Sequence, residues 1–157
     1  MNDILVTYFS ATGKTKKLAE QISDTYNLDI YEIKPKEEYT KKDLNWINPF
    51  SRTSKEHRNK EFLPPLANTH AIITEYKKIV LCFPIWWYTS PNIINTFLDS
   101  YDFSHKEIII FATSGSSGLG DTAEKLKKHV DRTCTIIEGK VNPTLDEIKA
   151  VMEEVIK

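Results

Sequence analysis

The sequence predicts a three-layer α/β domain in which a parallel sheet carries helices on both faces. Two observations predict it. Five short runs rich in β-branched and aromatic residues are spaced along the chain, and stretches with helical periodicity alternate with them, the order expected of βαβ units. The 157 residues suit one domain spanning 1–157.

The expected strands are Ile4 to Phe9, Ile30 to Ile33, Lys78 to Phe83, Glu107 to Ala112 and Thr133 to Ile137. Their nearly continuous apolar character reads as strands buried on both faces. The expected helices are Lys14 to Tyr26, Asn92 to Tyr101, Thr122 to Arg132 and Leu145 to Ile156. In the first, Leu18, Ala19 and Ile22 share a face while Lys14, Lys16, Lys17, Glu20 and Asp24 fall elsewhere, the stripe of a helix packed on a sheet. Thr144 with Glu147 three residues on marks the start of the last helix. One stretch breaks the rhythm. From Lys34 to about Pro65 the chain is long and polar, with eight Lys or Arg against five acids between Lys34 and Glu61, and reads as a mildly basic solvated flap.

Composition limits the function. With 40% hydrophobic and 27% charged residues the chain can bury a sizeable core. A net charge of -1 leaves no large field of one sign for a nucleic acid or an anionic membrane. No apolar stretch approaches the roughly 18 residues of a membrane span. Cys82 and Cys134 match no metal or redox spacing and read as core thiols. The opening on Met1-Asn2-Asp3 and a strand-like run shows no signal peptide, so a reducing cytoplasm is expected. His57, His70, His105 and His129 show no partner pattern and read as surface residues, and Asp121 as a first-turn helix carboxylate.

Three segments carry the candidate chemistry. Ser10-Ala11-Thr12-Gly13-Lys14-Thr15 stands directly between the first strand and the first helix. A helix N-terminus offers unpaired N–H groups and partial positive charge, the hydroxyls of Ser10, Thr12 and Thr15 add donors, and Gly13 permits close backbone approach, so a phosphate is the expected guest. The spacing fits neither the nucleotide-hydrolase P-loop nor the Gly-x-Gly-x-x-Gly turn. Pro84-Ile85-Trp86-Trp87-Tyr88 ends the third strand, and since strand side chains alternate, three adjacent aromatics cannot all enter one core. At least one is expected to line a cleft and present a face to a planar ring. Thr113-Ser114-Gly115-Ser116-Ser117-Gly118-Leu119-Gly120 follows the fourth strand and offers flexible backbone and hydroxyls. All three segments lie at carboxyl ends of strands, where open α/β sheets bind ligands. Together they describe a site for a planar phosphorylated cofactor.

These residues resemble the flavodoxin family. The first loop is similar to its Ser/Thr-x-Thr-Gly-x-Thr phosphate loop, Trp86, Trp87 and Tyr88 to its ring-flanking loop, and Thr113 through Gly120 to its second ring loop. Gly139-Lys140-Val141-Asn142 ahead of the last helix strengthens the likeness, which covers the chain outside Lys34 to Pro65. The resemblance implies a doubly wound five-stranded sheet in the order 2-1-3-4-5 and a short-chain form that binds FMN. It implies an electron-transfer protein working between a flavoprotein reductase and a redox acceptor, and one compact domain with few apolar surface signals is expected to be a monomer. The alternative is an FMN-dependent NAD(P)H oxidoreductase acting on quinones or similar acceptors. No general acid or base and no metal is required. Tyr88 stands where the family often has Gly, and its Cβ resists a positive φ, which argues against a carbonyl that turns toward the flavin N5. The partner surface is expected at Trp87, Tyr88 and Ser116 to Leu119. A response-regulator receiver shares the topology but needs acids where this chain has Ser10 and Pro84. A low-molecular-weight tyrosine phosphatase needs Cys-x5-Arg, and here Phe9 stands at the first loop and Tyr88 where an Arg should follow Cys82.

Overall fold

The computed structural model describes residues 3–157; Met1 and Asn2, on which the reading of the chain's opening partly rests, lie outside the described residues. Five strands, β1 Ile4–Tyr8, β2 Asp29–Glu32, β3 Lys78–Pro84, β4 Glu107–Thr113 and β5 Thr135–Val141, form a parallel sheet in the order β2-β1-β3-β4-β5. The helices are α1 Lys14–Tyr26, α2 Arg52–Arg58, α3 Asn92–Ser100, α4 Thr122–Leu126 and α5 Leu145–Ile156. This is the doubly wound flavodoxin-like architecture that the sequence predicts.

Alternation along the central strands builds two cores. Leu5, Ile79, Leu81, Phe83, Ile108 and Ile110 point to one side and pack with Ile93, Phe97 and Leu98 of α3. Val6, Tyr8, Val80, Cys82, Ile109 and Phe111 point to the other and pack with Leu18 and Ile22 of α1 and Ile148 and Met152 of α5. Burying each large side chain contributes about 1.5–3 kcal/mol, so these central strands set the frame. Both cysteines are free and buried, and burial raises both thiol pKa values, that of Cys134 to about 11, which keeps them protonated core groups.

The structure corrects the expected elements in three places. First, only β1, β3 and β4 are buried on both faces; β2 and β5 are edge strands with several exposed residues. Second, the helix expected to reach Arg132 ends its α-helical part at Leu126 and finishes as a 3-10 turn over Lys127–His129. The Asp131 carboxylate accepts from the Thr133 amide at 2.8 Å, a local turn that competes with the helix and delays β5 to Thr135. Third, β5 runs on to Val141, past the end expected at Ile137; Gly139 there lies against the irregular pairing between Ile110 and Ala112, and a Cβ would stand 2.5 Å from the Ile110 carbonyl oxygen and 2.9 Å from the Phe111 ring. The backbone approach at this edge therefore requires glycine.

The excursion is a folded unit with a closed base. Pro35 and Leu66 form an antiparallel bridge, with the Lys36 amide donating to the Pro65 carbonyl at 2.9 Å and the Ala67 amide to the Lys34 carbonyl at 2.8 Å. It contains α2, absent from the expected elements, capped by the Ser51 hydroxyl accepting from the Ser54 amide. Most of it is exposed, as the solvated-flap reading expects, but Ser51, Thr53, Ser54 and Glu56 are buried, so it is more than a flap. Glu56, 6% exposed, accepts from the Tyr39 hydroxyl at 2.5 Å and from Arg52 Nε at 3.0 Å. The Arg52 guanidinium also lies 3.8 Å over the Tyr39 ring and donates to the Glu37 carbonyl at 2.7 Å. Burial, and then the hydrogen bond to Glu56, push the Tyr39 pKa far above its ordinary value, so its proton stays available for that bond. From the body, Asn92 donates through Nδ2 to the carbonyls of Glu56, Asn59 and Phe62, each at 3.0 Å, tying the end of α2 to the start of α3.

Candidate functional site

The three segments singled out in the sequence meet at the carboxyl ends of β1, β3 and β4. A cavity of 380 Å³ opens there, within the roughly 300–1,000 Å³ of small-molecule sites. Its floor comes from Ala11, Thr12 and Thr15, its side from Pro84 through Tyr88, and its far rim from Ser116 and Ser117.

The first loop presents helix donors. Gly13, at φ 95°, is the N-cap of α1; no side chain caps the helix and its first turn holds no acidic residue. The early amides of a 13-residue helix thus face the cavity end without a competing carboxylate. Ser10 holds the loop in shape by accepting from the Gly13 amide at 3.0 Å. Thr15 is buried with its hydroxyl 2.8 Å from that of Thr113, so the first and third loops are joined beneath the cavity. Lys14 opens α1 as an exposed residue and is not among those lining the cavity.

The aromatic loop is a tight turn. Trp86 and Thr89 exchange both backbone hydrogen bonds, at 2.8 and 3.2 Å, and between them Trp87 has φ 48° and Tyr88 φ 67°. Positive φ at both central residues is the type I′ pattern, usually given to Asn or Gly. Tyr88 thus takes the left-handed conformation that the sequence reading argued against, and two cross-turn hydrogen bonds hold it there. The turn sends its aromatics to different places. Trp86 is held edge-on by Phe9 at 5.7 Å and Tyr39 at 5.3 Å. Trp87 stacks on His57 of α2, centroids 4.7 Å apart and planes 10° apart. Tyr88 is 73% exposed at the mouth.

In the third loop, Asn142, at φ 46°, accepts from the Ser114 amide at 3.0 Å and donates to the Ser114 carbonyl. The Ser114 hydroxyl lies 3.0 Å from that of Ser117 and accepts from the Ser117 amide, which turns Ser116 and Ser117 to the cavity. Gly115 and Gly118 are exposed and do not line the cavity, nor does Gly120. Gly120 takes φ 55° with the Tyr88 carbonyl 3.8 Å from where a Cβ would sit, so the second and third loops come close there.

Sequence reasoning missed three lining residues, Leu44, Trp46 and Thr53, all from the excursion. It also misplaced His57. That imidazole is half-buried against Trp87, its Nδ1 has no hydrogen-bond partner, and burial, then Lys60 and Lys125, lower its pKa. His129 likewise is half-buried, its Nδ1 3.0 Å from Asp99, while His70 and His105 are exposed as expected. The signals were present: Ser51 is a helix-capping residue ahead of Arg52–Arg58, and an aromatic pair on a turn needs something to cover it. Among the described residues no cluster of His, Cys, Asp and Glu suits a metal, and no helix is long and apolar enough to cross a membrane.

Comparison with known proteins agrees with this geometry. The model of a flavodoxin family matches residues 3–155. The chain belongs to the flavodoxin family. A candidate flavoprotein from Bacteroides eggerthii is 36% identical, with 98% of each chain covered and a TM-score of 0.90. Another from Bacteroides uniformis is 34% identical over 97% of this chain and 98% of that one, with a TM-score of 0.87. A Lactobacillus acidophilus flavoprotein solved in complex with FMN has the same fold at 16% identity, with 100% of each chain covered and a TM-score of 0.72. No curated protein matches the sequence. In this member of the family the excursion between β2 and β3 supplies part of the cavity wall, a feature the matched loops alone do not convey.

Proposed function

We propose that the protein is an FMN-dependent electron carrier that passes electrons between a reductase and a second redox protein. The observation that carries the reading is the convergence of an uncapped helix N-terminus and an aromatic turn on one cavity. FMN is the cofactor: family membership and the FMN complex of the Lactobacillus acidophilus neighbour support it, and the residues present fit it. Its phosphate suits the amides of Gly13 to Thr15 with the hydroxyls of Thr12 and Thr15; its ring suits the space between the Trp86–Tyr88 turn and Ser116–Ser117. Bound flavin supplies the redox chemistry. The chain's residues bind, orient and shield. Thr15 and Thr113 fix the distance between the phosphate end and the ring loop, and the exposed Tyr88 marks the edge toward a partner. Trp46 and Leu44 exclude water from the side that the strands leave open.

The visible spectrum of the purified protein before and after addition of FMN tests the cofactor; bands near roughly 375 and 450 nm are expected to appear with saturable binding. Reduction assays then test the role. Fast reduction by a flavoprotein reductase with slow direct oxidation of NADH or NADPH is the expected pattern. Rapid multi-turnover oxidation of either nucleotide by the protein alone would replace the carrier with an FMN-dependent oxidoreductase.

A further inference from the structure

A second cavity, of 250 Å³, opens where Thr89 closes the Trp86–Thr89 turn. Lys60, Lys125 and Lys128 line it, with His129, Asn95 and the buried Thr89 and Ser90. Lys125 lies 3.4 Å from Asp121 and the His129 ring 3.0 Å from Asp99, all on exposed or half-buried groups. Lys60 and Lys128 pair with no carboxylate among the described residues. The Lys60 stem is exposed, but its ammonium turns inward to donate to Asn92 Oδ1 at 3.3 Å. Burial, and then the charge of Lys125, bring its pKa down to about 8, although Glu56 opposes the shift. The same two lysines press on His57 behind Trp87. Thr89 and Ser90 are each 4% exposed as residues and line this cavity.

A cavity lined by three lysines and two hydroxyl-bearing residues gains most from a guest with high charge and several acceptor oxygens. A phosphoryl group has both. Lysines act on it as point charges, and hydroxyl and amide donors fill the remaining oxygen lone pairs. The volume is below the roughly 300 Å³ at which sites for whole small molecules begin, so the cavity suits an end group and not a ring. Thr89 closes the turn that carries Tyr88, so a molecule anchored here by its phosphate extends toward the mouth of the ring pocket. We propose that the cavity around Lys60, Lys125 and Lys128 binds the phosphoryl group of a small phosphorylated ligand whose other end lies at the mouth of the flavin pocket. That the ligand's other end lies beside a flavin rests on the FMN reading above, whereas the anion site itself does not.

The test uses the protein loaded with FMN, its loading read first from the visible spectrum, so that the Gly13–Thr15 loop is filled. Inorganic phosphate is titrated while the amides of Thr89, Ser90 and Lys60 and the His57 imidazole are followed by NMR. Saturable shifts at these residues are expected, with the His57 pKa rising as the anion offsets the lysine charges. Affinity should fall about tenfold in the Lys60→Gln/Lys128→Gln double variant and decline as the pH is raised through 8. NADPH and NADH differ by one phosphate and distinguish the sources: tighter NADPH binding that disappears in the double variant assigns a phosphorylated nucleotide, and equal binding leaves a smaller phosphate ester. Shifts no larger than those produced by chloride at equal ionic strength, or shifts unchanged in the double variant, overturn the site. If FMN fails to bind, the same NMR signals still decide the anion site, because none belongs to the phosphate loop.

Discussion

Asn92→Leu offers the sharpest test of how the excursion is held against the body. Asn92 is 2% exposed and opens α3, and its Nδ2 faces three carbonyls at 3.0 Å, those of Glu56, Asn59 and Phe62. The amide has two hydrogens, so the three acceptors share about two bonds. Each contributes about 1 kcal/mol net, and a buried acceptor left without a donor adds about 1–3 kcal/mol. Asn59 and Phe62 are exposed residues whose carbonyls can turn to water, so only the carbonyl of the buried Glu56 is fully stranded. Leucine preserves the volume, so the loss is about 3 kcal/mol. For a domain of this size that lowers Tm by about 6–12 °C in thermal denaturation.

The loss can also appear locally. If the excursion opens before the sheet does, the Tm change is smaller and amide exchange or proteolysis between Tyr39 and Phe62 rises instead. Since Leu44, Trp46 and Thr53 line the ring cavity, FMN affinity should fall in either case. A Tm within about 1 °C of the parent, with unchanged exchange across α2 and unchanged FMN affinity, would refute the view that Asn92 clamps this wall.

Three further outcomes are expected. Thr15→Val deletes the hydroxyl 2.8 Å from Thr113 and should weaken FMN binding about tenfold in a fluorescence titration while the far-UV spectrum stays the same; undiminished affinity would detach Thr15 from the phosphate end. Tyr88→Gly removes a left-handed residue that costs about 1–2 kcal/mol and adds backbone entropy worth about 0.5–1 kcal/mol, so denaturation in urea should show stability equal or slightly higher alongside weaker FMN binding. A marked loss of stability would mean that the exposed ring packs where the structure shows it open. His57 has a folded-state pKa below its ordinary 6.5, so the stability it contributes as a neutral ring is present above 6.5 and is lost as the pH falls through the lower folded value. Trp fluorescence and stability should therefore decline together in mildly acidic buffer, and His57→Phe should flatten that decline; an unchanged pH profile in the variant would place the titrating group elsewhere.

The parts of the fold legible in the sequence are those where one face is apolar. α1 and α5 match their expected bounds because Leu18 and Ile22, or Ile148 and Met152, give a helical stripe, and Thr144 with Glu147 forms the capping box. The boundaries of β5 and α4 were less legible because Asp131 imposes a turn through its side chain, which hydropathy does not register. α2 was hidden for the same reason, since its buried residues are Thr53, Ser54 and Glu56. A helix that docks by hydrogen bonds has no stripe, and its partners, Tyr39 and Asn92, are far away in sequence.

The same distinction governs the site. The phosphate end was legible because a strand, a hydroxyl-rich glycine loop and a helix follow one another within a few residues. The ring end was only half legible, because Trp87 acquires its role from His57, thirty positions earlier, and the left-handed turn at Trp87 and Tyr88 is imposed by the Trp86–Thr89 bridge against local preference. Local strain of this kind persists only where the surroundings hold it. Here the body side holds it through that bridge, and the excursion holds it through the His57 stack. The geometry of the ring pocket and the attachment of the excursion are therefore one property, and a change at Asn92 that touches neither loop should be felt at the flavin.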